Sequence, residues 1–218
     1  MKSDQKEIVI RKYADRDRDS IRNIACETAF MGRPAEMFIA DRDVLADFLT
    51  SYFTDYEPES CFVSESDGRV IGYLIGAKDE IRLKTIFRSK IVMPLLIKSI
   101  TNGMILKKKN MVLALSFLSS FLIGDFKEPD FTEEYPAILH INVLEKFRVM
   151  GIGSRLISAY LDYLRKERVR GVHLGTISEE AGIFFISQGF HLLHKGTRSY
   201  FRHILHRDIS VYIYGKLL

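Results

Sequence analysis

The spacing of apolar residues predicts that strands and helices alternate along this chain. Residues 7–13 form a short β-rich run that predicts a first strand. A first helix is indicated by apolar or small residues three or four positions apart: Ile21, Ile24, Ala25 and Thr28. Asp41 or Asp43 is predicted to cap a second helix. Its expected apolar face consists of Val44, Leu45, Phe48, Leu49 and Tyr52.

An Asp-Gly pair marks a β-hairpin in the first half of the chain. The turn Ser66-Asp67-Gly68 lies between two runs rich in β-forming residues, 61–65 and 69–76. A tight two-residue turn requires positive φ angles, which Asp and Gly tolerate better than other residues. The sequence therefore predicts two antiparallel strands here.

Residues 80–130 are predicted to form two or three helices, because apolar residues and Lys/Arg intermix there, with Pro94 and Gly103 as breaks. The longest apolar run of the chain, Met111–Gly124, is shorter than the ~20 residues needed to span a bilayer. We expect it to be a buried amphipathic helix. The alternative is a helix that lies on a membrane surface or forms a dimer.

A strand, a helix and a second strand follow as one βαβ unit. The run AILHINV at 137–143 predicts a buried strand, and 172–177 predicts the next one. The helix between them is indicated by residues at 3.6-residue spacing: Ile152, Leu156, Ile157, Tyr160, Leu161 and Leu164. Gly171 is predicted to end this helix. Strands joined in this way are expected to be parallel.

The last part of the chain predicts a short helix followed by β structure. The helix covers 179–187 and is stopped by Gly189. Two further β segments are expected at roughly 191–204 and 210–215. Together these elements predict an α/β fold with a mixed sheet.

Composition narrows the class of protein. The chain has 218 residues, of which 47% are hydrophobic and 28% charged, which is typical of a globular protein with a buried core. Its two cysteines, Cys26 and Cys61, exclude a disulfide scaffold and a Cys-rich zinc site, and no metal site is predicted. A net charge of +4 does not indicate a general nucleic-acid binder. The polar N-terminus lacks the apolar segment of a signal peptide, so we expect a cytoplasmic protein.

The segment RVMGIGSR at 148–155 joins the predicted strand to the predicted long helix. Gly151 and Gly153 would let the backbone approach a ligand closely. The first N–H groups of the helix would point at that ligand, an arrangement that suits a phosphate, and two arginines add positive charge. The segment is neither the three-glycine dinucleotide fingerprint nor a P-loop. A tight strand-to-helix turn without a ligand is the alternative.

The residues Arg148-x-x-Gly151-x-Gly153, after a Leu-x-Ile-x-Val strand, resemble the acetyl-CoA signature of the GNAT superfamily of N-acetyltransferases. The phrase AGIFFISQGF at 181–190 is similar to that family's A-x-x-F-Y-x-x-x-G-F segment. The two motifs at their mutual distance are much more specific than either motif alone.

The resemblance covers about 7–79 and 131–218. It implies the GNAT acyl-CoA N-acyltransferase fold in a single domain, 1–218, with a helical insertion at about 80–130 between the third and fourth strands. A looser likeness, based on YFTDYEPE at 52–59 and VHLG at 172–175, is to bacterial GNAT proteins related to the acetyltransferase-like domain of O-GlcNAcase.

The resemblance also implies where acetyl-CoA would bind. It would lie in a cleft between the splayed fourth and fifth strands. The backbone of Ile141 and Val143 would pair with the pantetheine and the thioester carbonyl. Six consecutive N–H groups would hold the pyrophosphate: those of Val149, Met150, Gly151, Ile152, Gly153 and Ser154. Further residues of the implied cofactor site are Arg148, Arg155, Ser178 and Phe185.

The sequence departs from the family pattern at three polar positions. The tyrosine that usually gives a proton to the CoA sulfur is replaced by Phe185, a common asparagine by Ser178, and a strand glutamate by Ala137. Three residues are candidates for the missing catalytic groups: His173 on the fifth strand, His140 on the fourth strand, and Tyr200 in the tail. Imidazole titrates near neutral pH, which suits a base. Each candidate also fits an ordinary packing role.

The resemblance implies an acetyl-CoA-dependent N-acetyltransferase that transfers an acetyl group to a primary amine of an unidentified acceptor. Because Phe185 has no proton to give, the alternative is a catalytically weak GNAT-like module that binds acyl-CoA and regulates or scaffolds a partner. A third interpretation, acyl transfer to lipid or peptidyl amines at a membrane, is based on the apolar stretch 91–124.

The predicted insertion holds the basic excess of the protein. Residues 80–130 contain 9 Lys/Arg and 4 Asp/Glu, a net charge of +5, which leaves −1 for the rest of the chain. The insertion could be a lid over the acceptor, a homodimer interface or a decoration. The run Lys107-Lys108-Lys109 could meet an acidic acceptor, a membrane surface or only water.

Overall fold

A computed structural model describes the protein over residues 7–30, 32, 41–103, 107–125 and 127–218. Seven strands form one sheet in the order β1-β2-β3-β4-β5-β7-β6. The strands are β1 (Ile8–Lys12), β2 (Cys61–Ser66), β3 (Arg69–Ala77), β4 (Ala137–Val143), β5 (Gly171–Thr176), β6 (His191–Arg198) and β7 (Ile209–Leu217). All neighbours are antiparallel except β4 and β5, which are parallel. The predicted mixed α/β fold is confirmed.

Helices cover both faces of the sheet. They are α1 (Arg18–Thr28), α2 (Arg42–Tyr56), α3 (Glu80–Ile86), α4 (Met93–Thr101), α5 (Lys108–Ile123), α6 (Ile152–Lys166), α7 (Glu179–Ser187) and α8 (Arg202–Leu205). The helix α6 packs on one face, where its predicted apolar positions are all buried, and α1 and α2 pack on the other. The N-terminal residues 1–6, on which the signal-peptide expectation depends, lie outside the described residues.

The first half of the sheet follows the predicted pattern. The hairpin β2–β3 turns at Asp67 and Gly68, whose φ angles are 51° and 73°. The Asp41 carboxylate caps α2 by accepting bonds from the N–H groups of Asp43 and Val44. The prediction for the apolar face of α2 is wrong at Phe48, which is 45% exposed. Its ring packs edge-on against Phe87 at the surface instead of entering the core.

Helices connect β3 to β4, as the sequence predicts for 80–130. A π-helical turn, Phe87–Val92, joins α3 to α4 and places Ile91 in the core. Pro94 lies two residues after the end of this turn, and a wider turn of this kind relieves the clash that proline causes inside a regular α-helix.

The expectation that Met111–Gly124 forms a buried helix is wrong for the side chains that the structure describes. The helix forms, but four large apolar side chains of α5 are exposed, at Met111, Leu115, Leu118 and Leu122. Ser120, on the opposite side of the helix, is buried. We call the four exposed residues the α5 stripe.

Two predicted boundaries in the second half are wrong. The helix α6 ends at Lys166, and Arg168 takes the left-handed conformation at φ 58°. Gly171 instead begins β5, where a side chain would meet the Glu134 carbonyl oxygen at 2.5 Å. The strand expected over 191–204 stops at Arg198, because the next backbone N–H, that of Ser199, donates to the Asp125 carboxylate at 2.8 Å.

Candidate active site

A cleft opens between β4 and β5 because the two strands pair over only two positions, Ala137 with Val172 and Ile138 with His173. Beyond Ile138, β4 remains paired with β3, and no strand of the described chain lies against its other edge. The N–H of Leu144 donates to the Ile71 carbonyl of β3 at 3.0 Å. Because peptide groups alternate in direction along a strand, those of Ile141 and Val143 point away from β3, into the cleft.

The loop from β4 to α6 presents a row of free backbone donors at the same end of the cleft. The first helical bond of α6 runs from the Arg155 N–H to the Gly151 carbonyl at 3.2 Å. Within the described part of the chain, the N–H groups from Val149 to Ser154 donate to no protein acceptor. Val149 has a φ of 61°, which is strained for a β-branched residue, and it is fully exposed. Such a row at a helix N-terminus can hold an anion.

The two glycines of this loop have different roles. Gly151 has a φ of 72°, and a Cβ built there meets no atom within 4 Å, so the residue faces open space. A Cβ at Gly153 would lie 2.9 Å from the Phe184 ring of α7. Gly151 thus fits the predicted close approach to a ligand, whereas Gly153 makes room for a side chain of the protein.

The two arginines that flank the loop brace it against other elements. Arg148 donates from Nε to the Val143 carbonyl at 3.1 Å and from its guanidinium to the Gly32 carbonyl at 3.3 Å. Arg155 donates to the Ile8 carbonyl of β1 at 2.9 Å. Arg148 therefore keeps its charge beside the free donors, while Arg155 is directed toward the edge strand.

The helix α7 lines the β5 side and contains Ser178 and Phe185. The Ser178 hydroxyl caps α7 by accepting a bond from the Ala181 N–H at 3.2 Å. Phe185 is 5% exposed and packs in an aromatic cluster with Phe190 and Tyr214. The structure thus places Phe185 in the core and Ser178 at the helix start.

Tyr214 of β7 is a phenol that the sequence reasoning missed. Its ring lies 6.3 Å from that of Phe185, and its hydroxyl fits against Gly182, where any side chain would clash. No described residue forms a hydrogen bond with that hydroxyl, although burial raises the pKa of Tyr214. Only the β5–β7 register, which aligns Tyr214 with Leu174, brings it to this place.

His140 lies on β4, on the side of the sheet where α1 and α2 pack, and its side chain is exposed. Its ring lies 6.0 Å from Phe53, edge to face. The surrounding protein removes enough water to lower the pKa of His140 even though the ring still contacts solvent. On the same strand face, the Asn142 amide donates to the Tyr73 hydroxyl at 2.9 Å.

His173 has a different environment, deep in the sheet where β4 and β5 are still paired. Its Nδ1 lies 2.7 Å from the Tyr135 carbonyl oxygen, so this nitrogen must carry the proton. Its Nε2 lies 3.6 Å from the Glu80 carboxylate, which also pairs with Lys84. Burial favours a raised pKa of Glu80, but these two partners outweigh it and lower that pKa. His173 ties α3 to the sheet.

Tyr200, the third predicted candidate, lies in the turn between β6 and α8. Its ring packs edge-on against Phe201, which in turn contacts Phe30 near the end of α1. Burial raises the pKa of Tyr200. The structure therefore places Tyr200 in the turn after β6, beside Phe201, whereas His140 lies on a strand of the cleft itself.

Over the described ranges, no group of three or more His, Cys, Asp or Glu side chains could hold a metal ion. None of the helices in those ranges is both long and apolar enough to cross a membrane.

Comparison with known proteins gives a family and a fold. The model of the acetyltransferase (GNAT) family matches residues 18–190. No curated protein matches the sequence. The crystal structure of SsHAT has a TM-score of 0.71 at 24% identity, over 97% of this chain and 98% of that chain. Polyamine N-acetyltransferase of Drosophila melanogaster has a TM-score of 0.60 at 15% identity, over 97% and 100%. The protein yncA of Salmonella typhimurium, solved with its cofactor acetyl-CoA, has a TM-score of 0.54 at 15% identity, over 97% and 94%.

Proposed function

Because the chain belongs to the acetyltransferase (GNAT) family, we propose that it transfers the acetyl group of acetyl-CoA to a primary amine. The observation that supports this best is the cleft itself. The edge of β4 that no described strand covers leads, through residues 144–148, to six free N–H groups at the start of α6. The strand edge and the row of N–H groups together suit one long ligand, with amide groups at one end and a pyrophosphate at the other.

The described residues fit that ligand by their chemistry. The N–H groups from Val149 to Ser154, with Arg148 beside them, would hold the pyrophosphate. The cleft-facing peptide groups of Ile141 and Val143 would pair with the amides of the pantetheine arm. When bound, acetyl-CoA supplies an activated acyl group, and the protein has to manage two protons around it.

We assign His140 to the first proton, which an incoming ammonium must lose. Its lowered pKa keeps the imidazole neutral near pH 7, so it can accept that proton. It is exposed on the free strand, whereas His173 is buried and has Nδ1 engaged by a carbonyl. His140 is therefore the better candidate of the two.

We assign Tyr214 to the second proton, which the leaving thiolate must receive. Phe185 cannot supply it, and the Tyr214 hydroxyl lies against the same helix, over Gly182. The raised pKa of Tyr214 means that the phenol keeps its proton until a strong base is generated next to it.

The acceptor class is proposed as a small primary amine. Two structural neighbours, at 15% and 16% identity, are a polyamine N-acetyltransferase that forms N-acetylagmatine and an agmatine N-acetyltransferase. Agmatine and short polyamines are therefore the first acceptors to test, together with peptides that carry a free amino terminus.

The test combines calorimetric CoA binding with turnover over this panel. We expect CoA to bind and at least one amine to be acetylated. His140→Gln should bind CoA normally but lose about 100-fold in kcat/KM, the usual contribution of a general base. His194→Gln on β6 is the matched control and should keep its activity. Tyr214→Phe should lower kcat in the same way.

The outcomes separate the proposal from its alternative. If CoA binds and no amine is acetylated, the protein is a regulatory CoA-binding module, which the buried Phe185 also favours. If CoA does not bind, the cofactor assignment is wrong. In an active enzyme, the acid limb of kcat/KM should lie below pH ~6.5, because the pKa of His140 is lowered from that usual value.

A further inference from the structure

Four large apolar side chains of α5 that the structure describes are exposed, which is unusual for a helix of the core. In the α5 stripe, Met111 is 44% exposed, Leu115 58%, Leu118 54% and Leu122 75%. The side turned to the protein includes Ser120, which is 1% exposed. A monomer in water gains nothing from this arrangement, so the stripe indicates a surface that another molecule covers.

The spacing of the stripe is that of a helix-pairing seam. Its residues are separated by four, three and four positions, the pattern of alternating a and d sites. At 1.5 Å per residue the seam is about 16 Å long. This regular spacing suits a second helix better than a flat or irregular surface.

We propose that α5 binds α5 of a second copy of this chain, antiparallel, about a two-fold axis between Leu115 and Leu118. The stripe reads the same from either end, since Met111 is as far from this centre as Leu122. An antiparallel pair therefore places Met111 against Leu122 of the second copy, and Leu115 against Leu118 of the second copy. A two-fold interface requires this self-complementarity.

The charges at the two ends of α5 favour the same arrangement. Lys107 and Lys108 stand at the N-terminal end, where the positive end of the helix dipole disfavours them. The other end has terminal carbonyl groups, and Gly124 and Asp125 follow it in a left-handed turn. Antiparallel pairing brings the lysines of each copy to the negative end of the other.

A membrane is the other occupant to consider, and the charge pattern argues against it. Helices that lie on anionic lipid carry Lys and Arg along their polar face. From residue 110 to 124 the sequence contains no charged residue, and the lysines stand at one end only. A single helix pair also buries less than the ~1,200 Å² of small stable interfaces, so we expect a dimer that dissociates at micromolar concentration.

Sedimentation equilibrium over a range of protein concentrations tests the proposal. We expect a monomer–dimer equilibrium for the unchanged protein. Leu118→Glu places a carboxylate against Leu115 of the second copy at two equivalent positions, and it should raise the dissociation constant about 100-fold. Leu192→Glu, at an exposed leucine of β6, adds the same charge elsewhere and should leave the equilibrium unchanged. Circular dichroism checks that both variants are folded.

A pair of opposite charges tests the antiparallel direction. Leu115→Lys alone and Leu118→Glu alone each place a charge against an apolar residue of the second copy in an antiparallel pair and should weaken the dimer. An equimolar mixture of the two variants should restore association, because each copy then meets an opposite charge. A parallel pair gives no such rescue and would overturn the geometry.

Two results would overturn the proposal altogether. One is a protein that stays monomeric up to about 100 μM. The other is an unchanged equilibrium in Leu118→Glu, which would place any dimer elsewhere. Co-sedimentation of the monomer with phosphatidylserine vesicles, lost in Leu118→Glu, would assign the stripe to a membrane instead.

Discussion

Replacing Gly151 by alanine should have two effects that can be measured separately. It strains the backbone, which lowers stability, and it obstructs the loop proposed to bind the cofactor, which lowers CoA affinity. The residue has a φ of 72°, and a Cβ there meets no protein atom within 4 Å. The methyl group therefore clashes with nothing in the free protein, and the stability cost is that of a left-handed backbone, about 1–2 kcal/mol. The methyl group also projects from the loop that carries the six free N–H groups, so it should keep a pyrophosphate from full contact with them.

Gly68→Ala in the β2–β3 turn is the matched control. Gly68 has a φ of 73° and also faces open space. Both variants should lose the same 1–2 kcal/mol, roughly 2–4 °C in Tm for each kcal/mol. Only Gly151→Ala should lose CoA affinity, at least ~10-fold, which is about 1.4 kcal/mol. Thermal unfolding and calorimetry measure the two effects. Equal CoA affinity in the two variants would refute the assignment of the loop.

Two stability predictions follow from buried carboxylates. Glu57, 1% exposed, accepts hydrogen bonds from Ser60 and the Lys78 N–H at 2.7 Å each. Glu57→Ala orphans these donors and should cost about 3 kcal/mol in urea unfolding; a loss below ~1 kcal/mol contradicts this. Burial opposes ionisation of Asp17, but Arg11 outweighs it and lowers the pKa of Asp17. Asp17→Asn should therefore lose about 1.5–3 kcal/mol at pH 7, and the difference should shrink below pH ~4. A pH-independent difference would contradict the pairing.

Local signals predicted most of the fold, because they depend on chemistry within a few residues. The Asp67-Gly68 turn requires positive φ, and the α6 periodicity requires one buried face; both were confirmed. Gly171 was misread because glycine also serves close packing between strands, a role that depends on Glu134, distant in sequence. The strand that begins at His191 was predicted too long. Its end depends on the bond from the Ser199 N–H to Asp125, a residue distant in sequence.

The candidate site was predictable only where it is made of backbone. The loop that begins at Arg148 follows from a contiguous motif, and its free donors lie where the motif implied. Side chains from distant strands were not predictable in this way. Sequence spacing cannot tell that His140 contacts solvent while His173 is bonded to the Tyr135 carbonyl. Tyr214 left no signal in the sequence, because β7 reaches α7 only through the register of the sheet.

Because β4 and β5 pair over only two positions, the sheet consists of two parts that few backbone hydrogen bonds join. Four strands carry α6 and three carry α7, and only two register pairs connect these parts along the sheet. Amide protons of Ile141 and Val143 should therefore exchange rapidly with deuterium in the free protein, although they lie mid-sheet. A molecule that binds along β4 would supply the missing neighbour, and slower exchange at these two amides would report its arrival. In that state, the continuity of the sheet would depend partly on a small molecule.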